Sequence, residues 1–369
     1  MEREHEELRE VVRRYLAEKS DLARMRTLVE TGRCRDEAVW SQLAEQLMVQ
    51  GIAIPESYGG AGYGPVELSI VLAEMGRFLV VSPYFATVAL AGQLLTGCTD
   101  AAAREAWLPG IAAGSVTATV AIGDETGEIA AGAVATVAAR EGDGWRLTGR
   151  KRFVIDGTTA DVLLVAALAD GVVTLFTVEG RAEGVRRTPL PNLDPTRPLA
   201  TVDFDNAPAV RLDDDATVLL PRLADLAAAA LAAEQTGGAA AALDMAVEYA
   251  RVRVQFDRPI GSFQAIKHRC ADLLLEVESA RNAVFAATSL LAANDPEGSL
   301  AASLAAAWAG RTYTHVAEEN IQIHGGIGFT WEHDAHFYLK RAKASEMLLG
   351  TTASHRARVG ELAGIRGAR

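Results

Sequence analysis

The chain changes its hydrophobic periodicity twice, and this limits what it can fold into. Up to about Gly114, apolar residues recur at spacings of three and four, as in LREVVRRYLAE and WSQLAEQLMVQ, which indicates amphipathic helices. From Ser115 to about Asp215 the pattern becomes short β-rich runs separated by Gly and Asp turns. Beyond Leu219, long alanine-rich helical patterns return. We therefore predict a mostly α-helical protein with a central β domain, divided into residues 1–114, 115–215 and 216–369.

The β-rich runs in the middle of the chain and the alanine-rich helices after them should pack in different ways. The middle runs, TATVAI, AVATVAA, WRLTGRKRFVI, VLLVAAL and VTLFTV, do not alternate with helices, so they predict a compact β domain and not a βαβ sheet. The late helices, such as LADLAAAALAAEQ and LAASLAAAWAGRTYTHVAEENIQ, are apolar on more than one face. We expect them to form a bundle and to pack against another subunit.

Charge and composition argue against some partners. The 369 residues include 36 basic and 48 acidic side chains, and the net charge of -12 opposes binding to nucleic acid or to an anionic membrane. The long uncharged stretch from Leu79 to Thr99 contains Pro83 and Gln93, which fits a buried helix better than a membrane span.

The cysteines and the N-terminus predict a cytoplasmic protein. Cys34, Cys98 and Cys270 lie far apart without the C-x-x-C spacing of a zinc site, and reduced thiols are the default interpretation. The first residues, MEREHEELREVVRRYLAEK, lack the apolar core of a signal peptide.

One candidate binding stretch is RVRVQFDRPIGSFQAIKH. Arg253 lies where the helical pattern ends, and Phe256 follows it before Pro259 interrupts the helix ahead of Phe263 and Gln264. An arginine at a helix end can reach a phosphate. Alone, the stretch is better explained as a solvated arginine cluster.

A second stretch, IQIHGGIGFTWEHD, places Gly325, Gly326 and Gly328 after a helical pattern. Adjacent glycines let the backbone approach a flat or charged ligand closely, although a plain helix terminus would also explain them. His324 reads as a packed or capping histidine. His333 and His336 lack third and fourth ligands, so we predict no metal site.

Taken together, these stretches resemble the acyl-CoA dehydrogenase family. The shared pattern is Arg-x-x-Phe, Phe-Gln, a distant Gln-x-x-Gly-Gly-x-Gly-Phe and a later Gly-Thr, and IPESYGGAG is similar to that family's early loop. The resemblance covers essentially the whole chain. It implies an N-terminal helical domain, a β-barrel-like middle domain and a C-terminal four-helix bundle, with FAD accepting hydride from an acyl-CoA.

The resemblance also implies site residues. It places Arg253, Phe256, Phe263 and Gln264 at the pyrophosphate and adenosine of FAD, and Gln322 to Gly326 along the same ADP moiety, across a dimer interface. The cofactor-binding prediction therefore comprises Arg253, Phe256, Phe263, Gln264, Gln322, Gly325, Gly326 and Thr351.

The chain departs from the family at the catalytic base. Counting forward from Gln322, the family's glutamate position is Leu349, and the alternative position on an earlier helix is Ala227. Neither can accept a proton. Glu234 lies seven residues after position 227, on the same helical face, and is a weak candidate base. It could instead form an interhelical or capping hydrogen bond. Asp225 projects to nearly the opposite side.

The β block departs from the family as well. Where the family has its flavin loop, this chain has AIGDETGEIAAG, and the Trp-Ile-Thr element becomes Phe153, Val154 and Ile155. The elements facing a neighbour's ADP are kept while those facing the chain's own flavin have drifted. This asymmetry predicts a subunit of a heteromeric acyl-CoA dehydrogenase, a dimer or α2β2 tetramer in which a homologous subunit supplies the glutamate.

Two alternatives stay open: a self-sufficient flavoenzyme with a displaced base, and a noncatalytic scaffold that binds acyl-CoA or a partner. The resemblance implies an electron-transfer flavoprotein as electron acceptor and does not fix the acyl chain.

Overall fold

The computed structural model describes residues 3–33, 35–212 and 215–365, so Cys34 lies outside the described residues. Cys98 and Cys270 are free thiols. Helices occupy the N-terminal part as the periodicity predicts: α1 (Arg3–Lys19), α2 (Leu22–Glu30), α3 (Glu37–Gln42), α4 (Pro65–Arg77), α5 (Gln93–Gly97) and α6 (Ala101–Ala112).

The stretch from Leu79 to Thr99 contains a buried helical segment, as its composition suggests. It includes a π-helical run, Phe85–Gly92, that leads directly into α5. All eight residues of this run are buried. The run anchors to the first strand of the β region, because the Thr87 hydroxyl donates to the carbonyl of Ala118 and accepts from its N–H, both at 3.1 Å.

The β region forms one seven-stranded sheet. Its strands are β1 (Ala118–Ala121), β2 (Val137–Glu141), β3 (Gly144–Ile155), β4 (Val162–Ala169), β5 (Val172–Glu179), β6 (Val185–Leu190) and β7 (Leu199–Arg211). The order β4-β2-β3-β7-β5 closes on itself because β5 also pairs with β4, and β1 and β6 add to β4 and β7. The closed ring of five strands encloses a core that includes Leu163, Phe176 and Phe204, while β1 and β6 each pair with one neighbour.

Long helices return after the sheet: α7 (Ala216–Val252), α8 (Gln264–Ala292), α9 (Gly298–His324), α10 (Gly326–Phe329), α11 (Ala335–Glu346) and α12 (Thr352–Leu362). A short hairpin, β8 (Val254–Gln255) and β9 (Arg258–Pro259), separates α7 from α8. Helix α9 packs against α8, α11 and α12. The predicted fold class, mostly α with a central β-barrel-like domain, is confirmed.

Glycines allow close helix packing around the middle of α7. A Cβ on Gly237 would lie 1.7 Å from the carbonyl oxygen of Ala73 on α4, and one on Gly76 would lie 2.0 Å from the carbonyl oxygen of Glu234. Gly238 faces the ring of Tyr313 on α9, where a Cβ would approach within 2.5 Å. Any side chain at these positions would force the helices apart.

The chain forms two compact units that do not follow its order. One unit comprises Ser69–Val80 with the described residues of Met1–Arg26 and Ala228–Arg369, and the other comprises the described residues of Thr27–Leu68 and Val81–Ala227. The element types change near the predicted boundaries, after Ala112 and before Ala216. The three-part division of the sequence stays a prediction.

Helix α7 is the one described helix long and apolar enough to cross a membrane by length and composition. In its most apolar window, 67% is buried within the protein, as in the core helix of a helical bundle.

Candidate functional site

The first predicted stretch lies at the C-terminal end of α7. Arg253 follows the last helical residue with its side chain exposed, and its carbonyl accepts a 2.8 Å hydrogen bond from the N–H of Ile260, which closes the small hairpin. Phe256 and Asp257 form the hairpin tip in left-handed conformations, with φ of 54° and 64°. This tip holds the Phe256 ring 86% exposed.

The hairpin is supported from the start of α8. The rings of Phe256 and Phe263 meet edge to face at 6.1 Å, and the Arg258 guanidinium lies 4.1 Å from the Phe263 ring centroid. Gln264 is the first residue of α8 and is exposed. An exposed cation, an exposed aromatic ring and an amide are thereby presented on one short segment.

The second predicted stretch lies at the C-terminal end of α9. Gln322 is in the last turn with an exposed side chain, and Gly325 ends the helix with φ of 62°, a conformation that favours glycine. A Cβ at Gly325 or Gly326 would meet no atom within 4 Å. The two glycines therefore expose bare backbone.

The structure brings these two stretches together. Ala246 and Ala250 of α7 share a small apolar core with Ile323 of α9, and Ile260 and Ile266 pack against it. The Tyr249 ring stacks on His324 at 4.2 Å. The ends of α7 and α9, the hairpin and the start of α8 thus form one surface, although Arg253 and Gln322 are far apart in sequence.

This surface fits the ADP part of FAD. Pyrophosphate needs a cation and accessible N–H groups, which Arg253 and the backbone of Gly326 can supply, since the Gly325 N–H donates to the carbonyls of Ile321 and Gln322. Adenosine needs an apolar or aromatic face. The residues predicted to bind ADP on this surface are exposed to solvent, except Phe263, which is half-buried.

Thr351 has a structural role that the resemblance did not predict. Its hydroxyl accepts a 3.0 Å hydrogen bond from the N–H of Ser354 and caps α12. Its assignment to the cofactor stays a prediction.

Leu349, at the family's base position, lies in a strained backbone. Its φ is 58°, a left-handed conformation that costs a leucine about 1–2 kcal/mol. It lines a cavity that is open to solvent. The empty space in this cavity, including the part that is open to solvent, is about 270 Å³. Glu346 and His355 are the titratable residues among the described cavity lining. Ala227, the alternative base position, is fully buried.

Glu234 is held by another helix. Arg341 of α11 donates a 2.7 Å hydrogen bond from Nη1 to Glu234 Oε1, and the two side chains are only 3% and 7% exposed. Of the two roles that the sequence left open, this geometry favours the interhelical one. No sequence pattern around Glu234 indicates this partner, which lies 107 residues away.

Of the β positions corresponding to the family's flavin contacts, Val154 and Ile155 are filled by the chain's own packing, whereas Phe153 is 37% exposed. Ile155 is buried and has no side-chain hydroxyl to offer. Lys151 is fully buried, and its ammonium donates to the Ile122 carbonyl at 2.6 Å and to Asp124 Oδ1. These two hydrogen bonds hold the 121–132 segment against β3. Burial lowers the pKa of Lys151 to about 8, with Asp124 opposing the shift.

The three histidines on either side of the glycines, His324, His333 and His336, form an aromatic cluster. The rings of His324 and His333 lie 4.3 Å apart, and His336 is enclosed by Trp331 at 4.8 Å and Phe337 at 4.2 Å. Neither ring nitrogen of His336 has a hydrogen-bond partner among the described residues. His324 Nδ1 bonds the carbonyl of its own helix at Asn320. This arrangement is that of packed side chains.

The cluster should make stability depend on pH. Burial lowers the pKa of His336 to about 4, with Lys340 and Arg26 acting in the same direction and Asp334 opposing them, and it also lowers the pKa of His324 and of His333. The unfolded histidines bind protons near pH 6.5, so this contribution is complete above that pH and is lost as the pH falls towards 4. Over this pH range, the free energy of unfolding of His336→Phe should fall by about 2 kcal/mol less than that of the wild-type protein. The measurement is urea denaturation at several pH values. Equal slopes for both proteins would contradict this.

Comparison with known proteins shows the family. The signature of the acyl-CoA dehydrogenase N-terminal domain matches residues 2–115, and that of the C-terminal domain matches residues 222–363. The chain is 36% identical to acyl-CoA dehydrogenase IpdE2 of Mycobacterium tuberculosis over 94% of this chain and 93% of that protein. The chain belongs to the acyl-CoA dehydrogenase family.

Solved structures agree with this assignment. A chain of the ChsE4-ChsE5 complex from Mycobacterium tuberculosis is 30% identical, with a TM-score of 0.89 over 100% of this chain and 99% of that one. A variant of the Tcur3481-Tcur3483 steroid ACAD is 32% identical, with a TM-score of 0.88 over 98% of each chain. Members of this family are FAD-dependent flavoproteins, so the predicted cofactor is confirmed at the level of the family.

Proposed function

We propose that this chain is one subunit of a heteromeric acyl-CoA dehydrogenase and completes the FAD site of a homologous subunit that carries the catalytic glutamate. The observation that carries the proposal is an asymmetry between two surfaces. The ADP-facing surface around Arg253 and Gly325 is assembled and exposed, whereas both base positions, Leu349 and Ala227, are apolar. Two structural relatives, at 32% and 30% identity, are each named as a pair of proteins, Tcur3481-Tcur3483 and the ChsE4-ChsE5 complex.

In this proposal the chain contributes binding and orientation. FAD supplies the hydride acceptor. Arg253 holds pyrophosphate charge, Phe256 and Phe263 cover the adenosine, and Gln264 and Gln322 offer amide hydrogen bonds. The open backbone at Gly325 and Gly326 lets the ADP moiety approach closely. Proton abstraction belongs to the partner's glutamate.

Exposed apolar side chains at the same end of the bundle support a partner there. Phe256, Phe329 and Trp331 are 86%, 84% and 53% exposed, and Val252 is 70% exposed. Large aromatic side chains exposed together are typical of protein interfaces. We expect a dimer or an α2β2 tetramer.

The proposal is tested by stoichiometry. The chain is coexpressed with a glutamate-bearing homologue from its own genome, and the purified complex is weighed by native mass spectrometry while its FAD is quantified. We expect about one FAD for each pair of unlike chains. A homo-oligomer carrying one FAD per chain would contradict the proposal.

A self-sufficient enzyme is the second candidate. The cavity beside Leu349 favours it in one respect, because it contains two titratable side chains, Glu346 and His355. A base acting from this cavity would replace the family's glutamate from one turn away. Glu346→Gln and His355→Gln then become decisive, and they are more direct tests than Glu234→Gln, whose carboxylate is bound to Arg341.

Arg253 should determine how much FAD is retained. Arg253→Ala removes a charge-assisted contact worth ~1.5–3 kcal/mol, so FAD per complex should fall at limiting FAD concentration. Arg251→Ala is the matched control, because that nearby exposed arginine is paired with Glu248 at 2.6 Å. Flavin content is measured by absorbance after denaturation, and equal loading of both variants would exclude this role for Arg253.

Steroid-derived acyl-CoA thioesters are the first substrates to assay, given the name of one structural relative. We further propose an electron-transfer flavoprotein as electron acceptor and a cytoplasmic location. A noncatalytic scaffold would bind acyl-CoA without any effect on its partner's turnover.

A further inference from the structure

A second cleft lies within the unit that contains the bundle, between α1, α4, α7 and α8. The empty space in the cleft is about 600 Å³, including the part that is open to solvent. Four arginines from three helices line it, Arg9 and Arg13 from α1, Arg77 from α4 and Arg281 from α8, and Glu74 is the one carboxylate among the described lining residues. None of these residues belongs to the surface assigned to FAD.

The innermost charges neutralise each other. Glu74 is 3% exposed, and Arg13 donates to both of its oxygens, from Nε at 2.9 Å and from Nη2 at 2.7 Å. Arg9 Nε lies 3.9 Å from Glu74 Oε1, beyond hydrogen-bond distance. Arg13 therefore balances Glu74, whereas the carboxylates that pair with Arg9, Arg77 and Arg281 are not among the described lining residues of the cleft.

The partners of these three arginines lie at the solvent side. Arg9 pairs with Glu6, Arg77 with Asp244 and Arg281 with Glu278, and the three carboxylates are 51%, 60% and 46% exposed. Exposed pairs of this kind contribute little and exchange readily with water. An anion that enters the cleft can thus compete for the guanidinium groups.

The remaining lining is mostly apolar, with Ser69 and Thr236 as its polar side chains. Ala73 on α4, Ala233 and Ala240 on α7, and Val284 and Phe285 on α8 line the same space. A guanidinium binds planar carboxylates through paired N–H donors, and an apolar wall favours a ligand with a hydrocarbon part over a purely inorganic anion.

We propose that this cleft binds a short-chain organic carboxylate. The carboxylate lies among Arg9, Arg77 and Arg281, and the hydrocarbon chain lies against the wall formed by α7 and α8. The site is separate from the FAD surface, so its test does not depend on the proposed function.

The experiment titrates the full-length protein, or its complex, with butyrate, with the neutral isostere butyramide and with inorganic phosphate, using calorimetry and saturation-transfer NMR. We expect saturable binding of butyrate, with butyramide and phosphate at least tenfold weaker. The double variant Arg77→Gln/Arg281→Gln should weaken butyrate binding by about tenfold or more. Both arginines are partly exposed, 23% and 40%, so the fold should tolerate the change.

Two further variants separate charge from packing. Arg3→Gln is the matched control, because its exposed pair with Glu7 lies on α1 outside the cleft, and it should leave butyrate binding unchanged. Phe285→Ala keeps every arginine and should weaken butyrate without affecting phosphate. Absence of saturable butyrate binding, equal binding of butyramide or phosphate, or unchanged affinity in the double arginine variant would each overturn the proposal.

Discussion

Purified alone, this chain should oxidise acyl-CoA thioesters ~10²–10⁴-fold more slowly than its complex with a glutamate-bearing homologue. The reason is the lack of a base at both family positions, where Leu349 and Ala227 stand. The loss corresponds to the usual contribution of general-base catalysis. The measurement is steady-state turnover with an artificial electron acceptor at equal FAD concentration, for the chain alone and for the complex.

Substitutions on both sides should locate the base. Replacing the partner's glutamate by glutamine should abolish turnover of the complex, while Leu349→Glu should not rescue the isolated chain. The left-handed backbone at Leu349 accommodates glutamate as well as leucine, so failure of this rescue would reflect the poor flavin contacts of the β region. Vigorous turnover by the wild-type homo-oligomer would refute the heteromeric assignment, and Glu346→Gln would then be the first variant to assay.

The largest effect on stability should come from the buried ion pair. Glu234→Gln leaves the positive charge of Arg341 without its carboxylate and should lower the free energy of unfolding by about 3–5 kcal/mol. The measurement is urea denaturation monitored by circular dichroism, at a pH where both groups are charged. Glu248→Gln is the control, because its pair with Arg251 is exposed, and it should cost less than about 1 kcal/mol.

A double substitution distinguishes the two interpretations of Glu234. Glu234→Leu/Arg341→Met removes both charges and should be more stable than either single variant, because no uncompensated charge stays buried. If Glu234→Gln instead kept full stability while turnover of the homo-oligomer disappeared, Glu234 would be the base and not a structural residue.

Periodicity was sufficient to predict the order of helical and β regions, because burial of one face imposes a repeat that local sequence records. The helix ends at Arg253 and at the Gly325–Gly326 pair could be predicted too, because helix ends carry strong local signals. The assignment of these residues to ADP came from the family resemblance and stays a prediction. The π-helical run Phe85–Gly92 was not predicted. Its residues are buried on every side, so no face is marked by polarity.

Features that depend on distant partners could not be predicted. Arg341 follows Glu234 by 107 residues, and nothing in either neighbourhood selects the other. The arginine-lined cleft likewise collects residues from α1, α4 and α8 that show no shared motif. Gly76 and Gly237 lie where the backbones of α4 and α7 meet, and no local pattern in the sequence marks this contact.

The unit that contains the helical bundle is built from segments far apart in the sequence, and this affects how it folds during synthesis. Arg26 donates to Asp334 across 308 residues of sequence, and Arg77 pairs with Asp244 across 167. Helix α1 therefore emerges from the ribosome long before the rest of its unit has been synthesised. Its apolar residues Val12 and Leu16 are fully buried in the folded protein but lack their packing partners in the nascent chain. Because such long-range contacts form slowly, the β region has time to fold first, and the two ends of the chain join last.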